Sequence, residues 1–144
     1  MSAEPALQFV DTNILVYAYD LSQGEKHAQA KALLLSLWDT GLGCLSIQVL
    51  KEFFVSVTRK SKYPLTAEQA SALIQDFSAW MVHRPGVNDV LSAIDLHQTH
   101  HVSFWDAMIL QSARQSGCSL VWSEDLSTGQ DYAGVKVVDP FAGN

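Results

Sequence analysis

Several features that would assign this chain to a simple class are scarce or missing. Its two cysteines, Cys44 and Cys118, have no CxxC or zinc-finger spacing, so we expect buried thiols rather than a disulfide or a zinc site. Its apolar runs, such as Leu33-Leu34-Leu35, are far shorter than the roughly 18–20 residues that a membrane span requires. No basic segment followed by an apolar one opens the chain. These absences predict a soluble, cytoplasmic protein without membrane association.

Basic residues are also few. The chain has 9 Lys and Arg against 15 Asp and Glu, and its formal net charge of −6 opposes a polyanionic partner. Two bound divalent cations would offset four of these six charges, however, so the total charge does not exclude a nucleic acid. Hydrophobic residues make up 48% of the 144 residues, which suffices for one packed core and predicts one domain over residues 1–144.

Short apolar segments alternate along the chain with segments of helical spacing. The predicted strands cover residues 7–10, 43–46, 119–122 and 135–138. After a short helix that follows Asp11, the predicted helices cover residues 24–40, 47–58, 66–81, 88–100 and 104–116, with Thr66, Asn88 and Ser103 as N-caps. This alternation predicts an α/β fold with a mostly parallel central sheet flanked by helices, in which ligands bind at the carboxyl ends of the strands.

Acidic residues occur in short motifs that are spread among these elements. The motifs are Phe9-Val10-Asp11-Thr12-Asn13, Leu50-Lys51-Glu52-Phe53-Phe54, Ser103-Phe104-Trp105-Asp106-Ala107 and Trp122-Ser123-Glu124-Asp125. An isolated charge among apolar residues is costly, and converging carboxylates repel one another unless a cation joins them. Because oxygen ligands suit Mg²⁺ or Mn²⁺, the motifs predict a metal site assembled from distant parts of the chain.

Each acid also has an ordinary structural explanation. Asp11 could cap the next helix, and Ser103 with Asp106 resembles a capping box. Glu52 could lie on a solvated helix edge, and the acids after Trp122 could be polar turn residues. Their joint placement favours the metal site, because two acids follow strand ends and the other two lie on helices that can flank that edge.

The order and separation of these motifs resemble the PIN domain family and, within it, toxin ribonucleases of the VapC type. The resemblance covers nearly the whole chain. It implies a single PIN-like domain in which Asp11, Glu52 and Asp106 are the core catalytic acids and Asp125 is the fourth. The family pattern Thr-x-Asp-x-Asp-Phe is altered here, because Ser123 replaces Thr and the last acid is absent. Whether Glu124 takes over part of that role stays open.

The implied activity is a Mg²⁺- or Mn²⁺-dependent endoribonuclease that hydrolyses RNA with a metal-activated water. Asp11 and Asp106 would be the principal metal ligands, whereas Glu52 and Asp125 would bind directly or through water. Asn13 and Ser123 would hydrogen-bond a ligand carboxylate or the phosphate. The sequence leaves open whether one or two ions bind.

Three partners follow from the same resemblance: an RNA substrate, a small antitoxin protein and a second copy of the chain. Arg59, Lys60 and Lys62 form a small basic cluster after the Glu52 helix, which either contacts RNA phosphates or is a solvated helix end.

The main alternative function is a catalytically silent PIN-like module that acts through a protein partner. A phosphatase with Asp11 as nucleophile is disfavoured because Asn13 stands where its general acid would be. The remaining candidates have structural explanations: His97, His100 and His101 as a polar helix end, and Trp80 and Trp105 as core residues.

Overall fold

The computed structural model describes residues 5–126 and 129–142. Its strands are β1 (Leu7–Val10), β2 (Gly43–Ser46), β3 (Met81–His83), β4 (Cys118–Trp122), β5 (Asp131–Tyr132) and β6 (Val135–Val138). Its α-helices are α1 (Thr12–Tyr17), α2 (Glu25–Thr40), α3 (Ile47–Val55), α4 (Ala67–Phe77), α5 (Val87–His100) and α6 (Phe104–Gln115). A 3₁₀ turn (Leu21–Gln23) precedes α2, and a π-helical turn (Ser56–Lys60) extends α3.

The strands form one sheet in the order β3-β2-β1-β4-β6-β5. All neighbouring strands are parallel except β5, which runs antiparallel to β6. Successive strands after β1 extend the sheet first through β2 and β3 on one side and then through β4 and β6 on the other. The strand order therefore reverses next to β1, between β1 and β4. Open α/β sheets bind ligands at such a switch point. The predicted α/β class and mostly parallel sheet are confirmed.

The core lies on this sheet and on the helices that cover it. Phe9, Val121 and Val137 on three of the strands are fully buried, as is Phe53 on α3. Cys44 and Cys118 are buried free thiols, as the sequence predicts. Between residues 5 and 142, leaving out 127 and 128, no helix combines the length and apolarity needed to cross a bilayer.

The predicted helix over residues 66–81 is too long. Thr66 caps α4 as expected, in a capping box with Gln69, but the helix ends at Phe77. Met81 instead begins the edge strand β3, which pairs with β2 through Met81 and Cys44. Apolar residues continue at helical spacing across this boundary, and an edge strand of 3 residues is too short to show an alternating pattern.

Other elements also differ from those predicted. Helix α5 begins at Val87 rather than after an Asn88 cap, because the carboxylate of Asp89 accepts the Gly86 backbone N–H at 2.8 Å. The helix predicted over residues 47–58 is α-helical only to Val55, and its end is the π-helical turn. The short hairpin strand β5 has no counterpart among the predicted strands.

Candidate active site

The candidate site lies where the adjacent strands β1 and β4 end. Val10 pairs with Trp122, and the backbone N–H of Asp11 donates to the Trp122 carbonyl oxygen at 2.9 Å. The chain leaves both strands at the same edge of the sheet. Parallel pairing therefore brings Asp11 beside Ser123, although 112 positions separate them in the sequence.

Asp11 is buried, with 6% of its surface exposed. Its Oδ1 accepts the Thr12 backbone N–H at 2.7 Å, which caps α1, and its Oδ2 accepts the Ser123 hydroxyl at 2.7 Å. Burial is the main cause that raises the pKa of Asp11 to about 6, with a smaller contribution from the charges of Asp106 and Asp125, while its hydrogen bonds oppose the rise. Asp11 therefore caps α1, as its ordinary structural explanation predicts, and the charges of Asp106 and Asp125 act on its carboxylate. Its role as a metal ligand stays a prediction.

Ser123 organises the turn after β4. Besides donating to Asp11, its Oγ accepts the backbone N–H groups of Asp125 at 3.2 Å and of Leu126 at 3.4 Å. One buried hydroxyl therefore connects the carboxylate of β1 with the backbone that carries Asp125. This role is structural, since the Ser123 side chain is fully buried and donates to Asp11.

Glu124 is held away from the other acids. Its carboxylate accepts the Tyr17 hydroxyl at 2.6 Å and forms an ion pair with Lys26. Burial alone would raise the pKa of Glu124. The hydrogen bonds from Lys26 and Tyr17 outweigh this effect and hold that pKa below its usual value. Glu124 fastens the turn to α1 and α2, and it lies outside the cavity that the remaining acids share.

The two helical acids are oriented by neighbouring hydroxyl groups. Thr12 donates its Oγ1 hydrogen to Glu52 Oε1 at 2.7 Å, which ties α3 to the first turn of α1. Ser103 accepts the backbone N–H of Asp106 at 3.1 Å and caps α6. Burial and, to a lesser extent, the charge of Asp125 raise the pKa of Asp106 against an opposing hydrogen bond from Ser103.

These side chains border one open cavity of about 640 Å³. Its polar lining includes the acids Asp11, Glu52, Asp106 and Asp125 together with Asn13, Gln48, Lys51 and Lys60. The structure thus brings together the four predicted catalytic acids, one predicted supporting residue and one residue of the basic cluster. Arg59 and Lys62 do not line the cavity.

Asn13 contributes a hydrogen-bond donor that is not used within the described part of the chain. Its Nδ2 is buried without a partner, while its Oδ1 lies 3.5 Å from the backbone nitrogen of Glu124. An unpaired buried donor costs free energy, about 1–3 kcal/mol for a neutral group, unless a ligand accepts its hydrogen. A phosphate or carboxylate oxygen in the cavity would do so.

The donor set fits a hard cation held largely by water. Over residues 5–126 and 129–142, no three Asp, Glu, His or Cys side chains are arranged to hold one ion directly. Mg²⁺ does not need such a cage, because it commonly binds one or two carboxylates and takes its other ligands from water and substrate phosphate. Each oxygen of Asp11 accepts one hydrogen bond and retains a further lone pair, and Asp106 and Asp125 border the same space.

Sequence reasoning placed Trp105 in the core, and this is wrong. The side chain is 64% exposed and lines the cavity. Helix α6 is buried from Ala107 to Ala113, whereas Trp105 in its first turn is exposed at the cavity. Helical spacing predicts which face of a helix is buried, but it does not predict where along the helix burial begins. The one signal in the sequence that Trp105 belongs to the site is its position directly before Asp106. Trp80, by contrast, is buried as predicted.

Comparisons with known proteins agree with this architecture. The sequence model of the PIN domain family matches residues 9–128. The comparison with curated proteins gave no match.

Solved structures resemble the chain over most of its length. VapC20 of Mycobacterium tuberculosis, a toxin that cleaves the sarcin-ricin loop, is 22% identical with a TM-score of 0.64, covering 82% of this chain and 91% of that one. A toxin-antitoxin complex from Klebsiella pneumoniae has a TM-score of 0.66 at 21% identity, covering 93% and 98% of the two chains. DNA-bound VapBC from Salmonella typhimurium has a TM-score of 0.64 at 18% identity, covering 94% and 99%. At such identities the likeness concerns the fold, and it is the family match that assigns the sequence: the chain belongs to the PIN domain family.

Proposed function

We propose that the chain is a Mg²⁺- or Mn²⁺-dependent endoribonuclease that acts as the toxin of a toxin-antitoxin pair. The observation that carries this proposal is the one cavity that the four predicted acids share, Asp11, Glu52, Asp106 and Asp125, although they are far apart in the sequence; Asp20 is a fifth acid in its lining. The structural likeness to VapC20 and to VapBC assemblies supports RNA as the substrate and an antitoxin as a partner.

Each site residue has a role in this proposal. Asp11 and Asp106 hold the metal, and Glu52 and Asp125 bind it directly or through water. When bound, the metal supplies an activated water and offsets the charge of the scissile phosphate. Asn13 donates its free Nδ2 hydrogen to a phosphate oxygen, and Ser123 keeps Asp11 oriented.

A cleavage assay tests the activity. Structured and single-stranded RNA are incubated with the purified protein and Mg²⁺ or Mn²⁺, and parallel samples contain EDTA. We expect cleavage only with the metal, and a loss of at least about 100-fold in Asp106→Asn, since a principal ligand is removed. Asp95→Asn, which neutralises an exposed acid on α5, serves as the matched control and should cleave like the parent. Metal binding without cleavage of any RNA would instead support the catalytically silent alternative.

The proposed antitoxin would place a basic side chain among the carboxylates. The cavity is acidic and open, so an Arg or Lys from a partner can pair with its acids and displace the metal. Copurification of the tagged chain from its native cell should yield a small protein with such a residue, and adding that protein should inhibit cleavage. Recovery of the chain alone would count against this partner.

We also propose that two copies of the chain associate through helix α5. Its exposed apolar residues are Val87, Val90, Leu91 and Ile94, which form a stripe along one helical face. The four residues have the same spacing when the helix is followed in either direction, so two antiparallel copies of α5 can present matching stripes. A two-fold axis would place Val87 against Ile94 of the partner subunit and Val90 against Leu91 of the partner subunit. The stripe alone would bury on the order of 300 Å² per copy. A standard interface buries about 800 Å² per partner, so the dimer is weak unless flanking surface joins it.

Matched substitutions test this association. Leu91 and Leu35 are exposed to similar extents, 58% and 60%, but lie on different helices. Light scattering at tens of micromolar should find a dimer for the parent and for Leu35→Glu, and a monomer for Leu91→Glu. A parent that is monomeric, or a dimer that survives Leu91→Glu, would contradict the α5 interface.

A further inference from the structure

Trp105 stands out among the residues that line the acidic cavity. It directly precedes Asp106 in the first turn of α6, and 64% of its surface is exposed. An indole exposed to this extent leaves a large apolar, π-bearing surface in contact with water. Nothing in the roles assigned above to the carboxylates, Asn13 or Ser123 uses this surface.

The backbone and ring of Trp105 are held in place although the side chain is exposed. Gln48 on α3 donates from Nε2 to the Trp105 carbonyl oxygen at 3.4 Å. The Phe104 ring packs edge-on against the indole with centroids 5.3 Å apart and an interplanar angle of 71°. The cap of Ser103 fixes the same helical turn. A ring held in this way loses little conformational freedom when a ligand stacks on it.

The surroundings of Trp105 indicate what kind of ligand would stack there. Several of the residues that border the cavity with it are polar or charged, namely Gln48, Lys51, Glu52 and Asp106, although apolar residues such as Val55 line it too. An anchor for a protein partner is commonly surrounded by a packed, water-excluding patch, whereas stacking of a nucleobase requires only one exposed aromatic face and tolerates polar neighbours. Single-stranded RNA presents such unpaired bases, and proteins commonly recognise them on aromatic side chains.

We propose that the Trp105 indole is a stacking platform for one unpaired base of the RNA substrate, next to the phosphate bound at the carboxylates. This proposal rests on the ribonuclease function proposed above. Stacking on Trp105 selects substrates whose base beside the cleavage point is unpaired and free to leave its helix. It orients the strand so that the adjoining phosphate enters the acidic cavity, and it does not contribute to the chemical step itself.

The test combines a change in the protein with a change in the RNA. Single-stranded RNA with one cleavage site is compared with versions that lack a single base at successive positions around that site. For intact RNA, Trp105→Ala should raise KM about 10-fold or more with kcat changed by less than about threefold, as expected for the loss of one stacked base. At one abasic position the parent should lose a similar factor, and Trp105→Ala should cause no further loss. Trp105→Phe should retain most of the affinity.

Controls separate this proposal from the function on which it rests. Leu35→Ala removes exposed apolar surface on α2, away from the cavity and from the α5 stripe, and should leave KM unchanged. The melting temperature of each variant checks that it is folded. A parent that cleaves no RNA overturns both proposals, while a parent that cleaves and a Trp105→Ala variant with the same KM overturn only the stacking platform. The platform is also overturned if Trp105→Ala weakens only the binding of a protein partner, or if its effect is the same at every abasic position.

Discussion

At the scale of single residues, Asp11 shows how one carboxylate serves both fold and site. Its two oxygens accept hydrogen bonds from Thr12 and Ser123, which fix the start of α1 and the turn after β4. Yet burial beside Asp106 and Asp125 makes its negative charge unfavourable in the absence of a cation. A metal bound at the proposed site would recover the free energy that burial of this charge removes from the metal-free fold.

Asp11→Asn should therefore stabilise the metal-free protein at neutral pH. The pKa of Asp11 is raised from 3.8 to about 6. The folded state thus holds its proton more tightly than the unfolded state, and stability falls as the pH rises from about 4 to about 6, by at most roughly 3 kcal/mol. The substitution removes this cost, so in EDTA at pH 8 we expect the free energy of unfolding to rise by about 1–3 kcal/mol. The difference from the parent should disappear below about pH 4, where Asp11 is protonated in both states.

The response to metal supplies the control for this prediction. Millimolar Mg²⁺ should raise the melting temperature of the parent by mass action. The rise should be largely absent in Asp11→Asn and intact in Asp39→Asn, which neutralises an exposed acid near the end of α2. An undiminished metal shift in Asp11→Asn, or a variant less stable than the parent at pH 8, would contradict the assigned role.

At the scale of elements, strand β2 approaches α4 and its following turn closely because it begins with Gly43. A Cβ atom at this position would lie 2.4 Å from Cε3 of Trp80. The indole cannot easily yield, because its centroid lies 5.2 Å from that of Trp38 and 5.1 Å from that of Phe77 in an aromatic cluster. The absence of a side chain at Gly43 is thus what allows the cluster to cover this end of the sheet.

Gly43→Ala should destabilise the fold by about 1–3 kcal/mol, the usual cost of forcing extra volume into a packed core. The midpoint of urea unfolding measures the effect. Gly86→Ala is the matched control, since no atom lies within 4 Å of the added Cβ and its φ of −107° is accessible to alanine. Equal midpoints for Gly43→Ala and the parent would show that Trp80 can move aside.

The elements that the sequence predicts are those whose burial depends on local pattern alone. Strands β1, β2, β4 and β6 are short apolar runs, and they lie inside the sheet or next to its edge strand. The edge strands β3 and β5 were missed because 3 and 2 residues cannot display a period. Their pairing depends on neighbours that are distant in the sequence.

The same limit applies to the site. Asp11, Glu52, Asp106 and Asp125 could be selected because acids recur at strand and helix ends, and the structure lines one cavity with them. The sequence does not predict that Glu124 turns toward Lys26 and Tyr17, since no local feature distinguishes Glu124 from Asp125. The sequence likewise does not predict the exposure of Trp105, because that exposure depends on how the first turn of α6 packs in the fold.

At the scale of the whole molecule, the proposed ribonuclease function requires an acidic protein to hold a polyanion. The net charge of −6 repels RNA, and the carboxylate cavity would do so most strongly without its cation. Attraction therefore has to be local, from the bound metal and from the few basic side chains near it. Among the predicted basic cluster, Lys60 lines the cavity, at the end of the π-helical turn that follows α3.

Substituting Arg59, Lys60 and Lys62 by Ala should weaken RNA binding across sequences. Each lost phosphate contact lowers the salt dependence of binding by about 0.7 units of slope on single strands, so the triple variant should lose up to about 2 units. Lys60→Ala alone should account for much of this loss, because Arg59 and Lys62 do not line the cavity.

The metal-induced rise in melting temperature should be unchanged in all variants, which separates RNA binding from the metal site. Binding titrations at low and moderate salt make the measurement, with Lys31→Ala on α2 as a control for charge alone. If the triple variant binds and cleaves RNA like the parent at both salt concentrations, the cluster is only a solvated helix end, and the cation in the cavity holds the RNA without it.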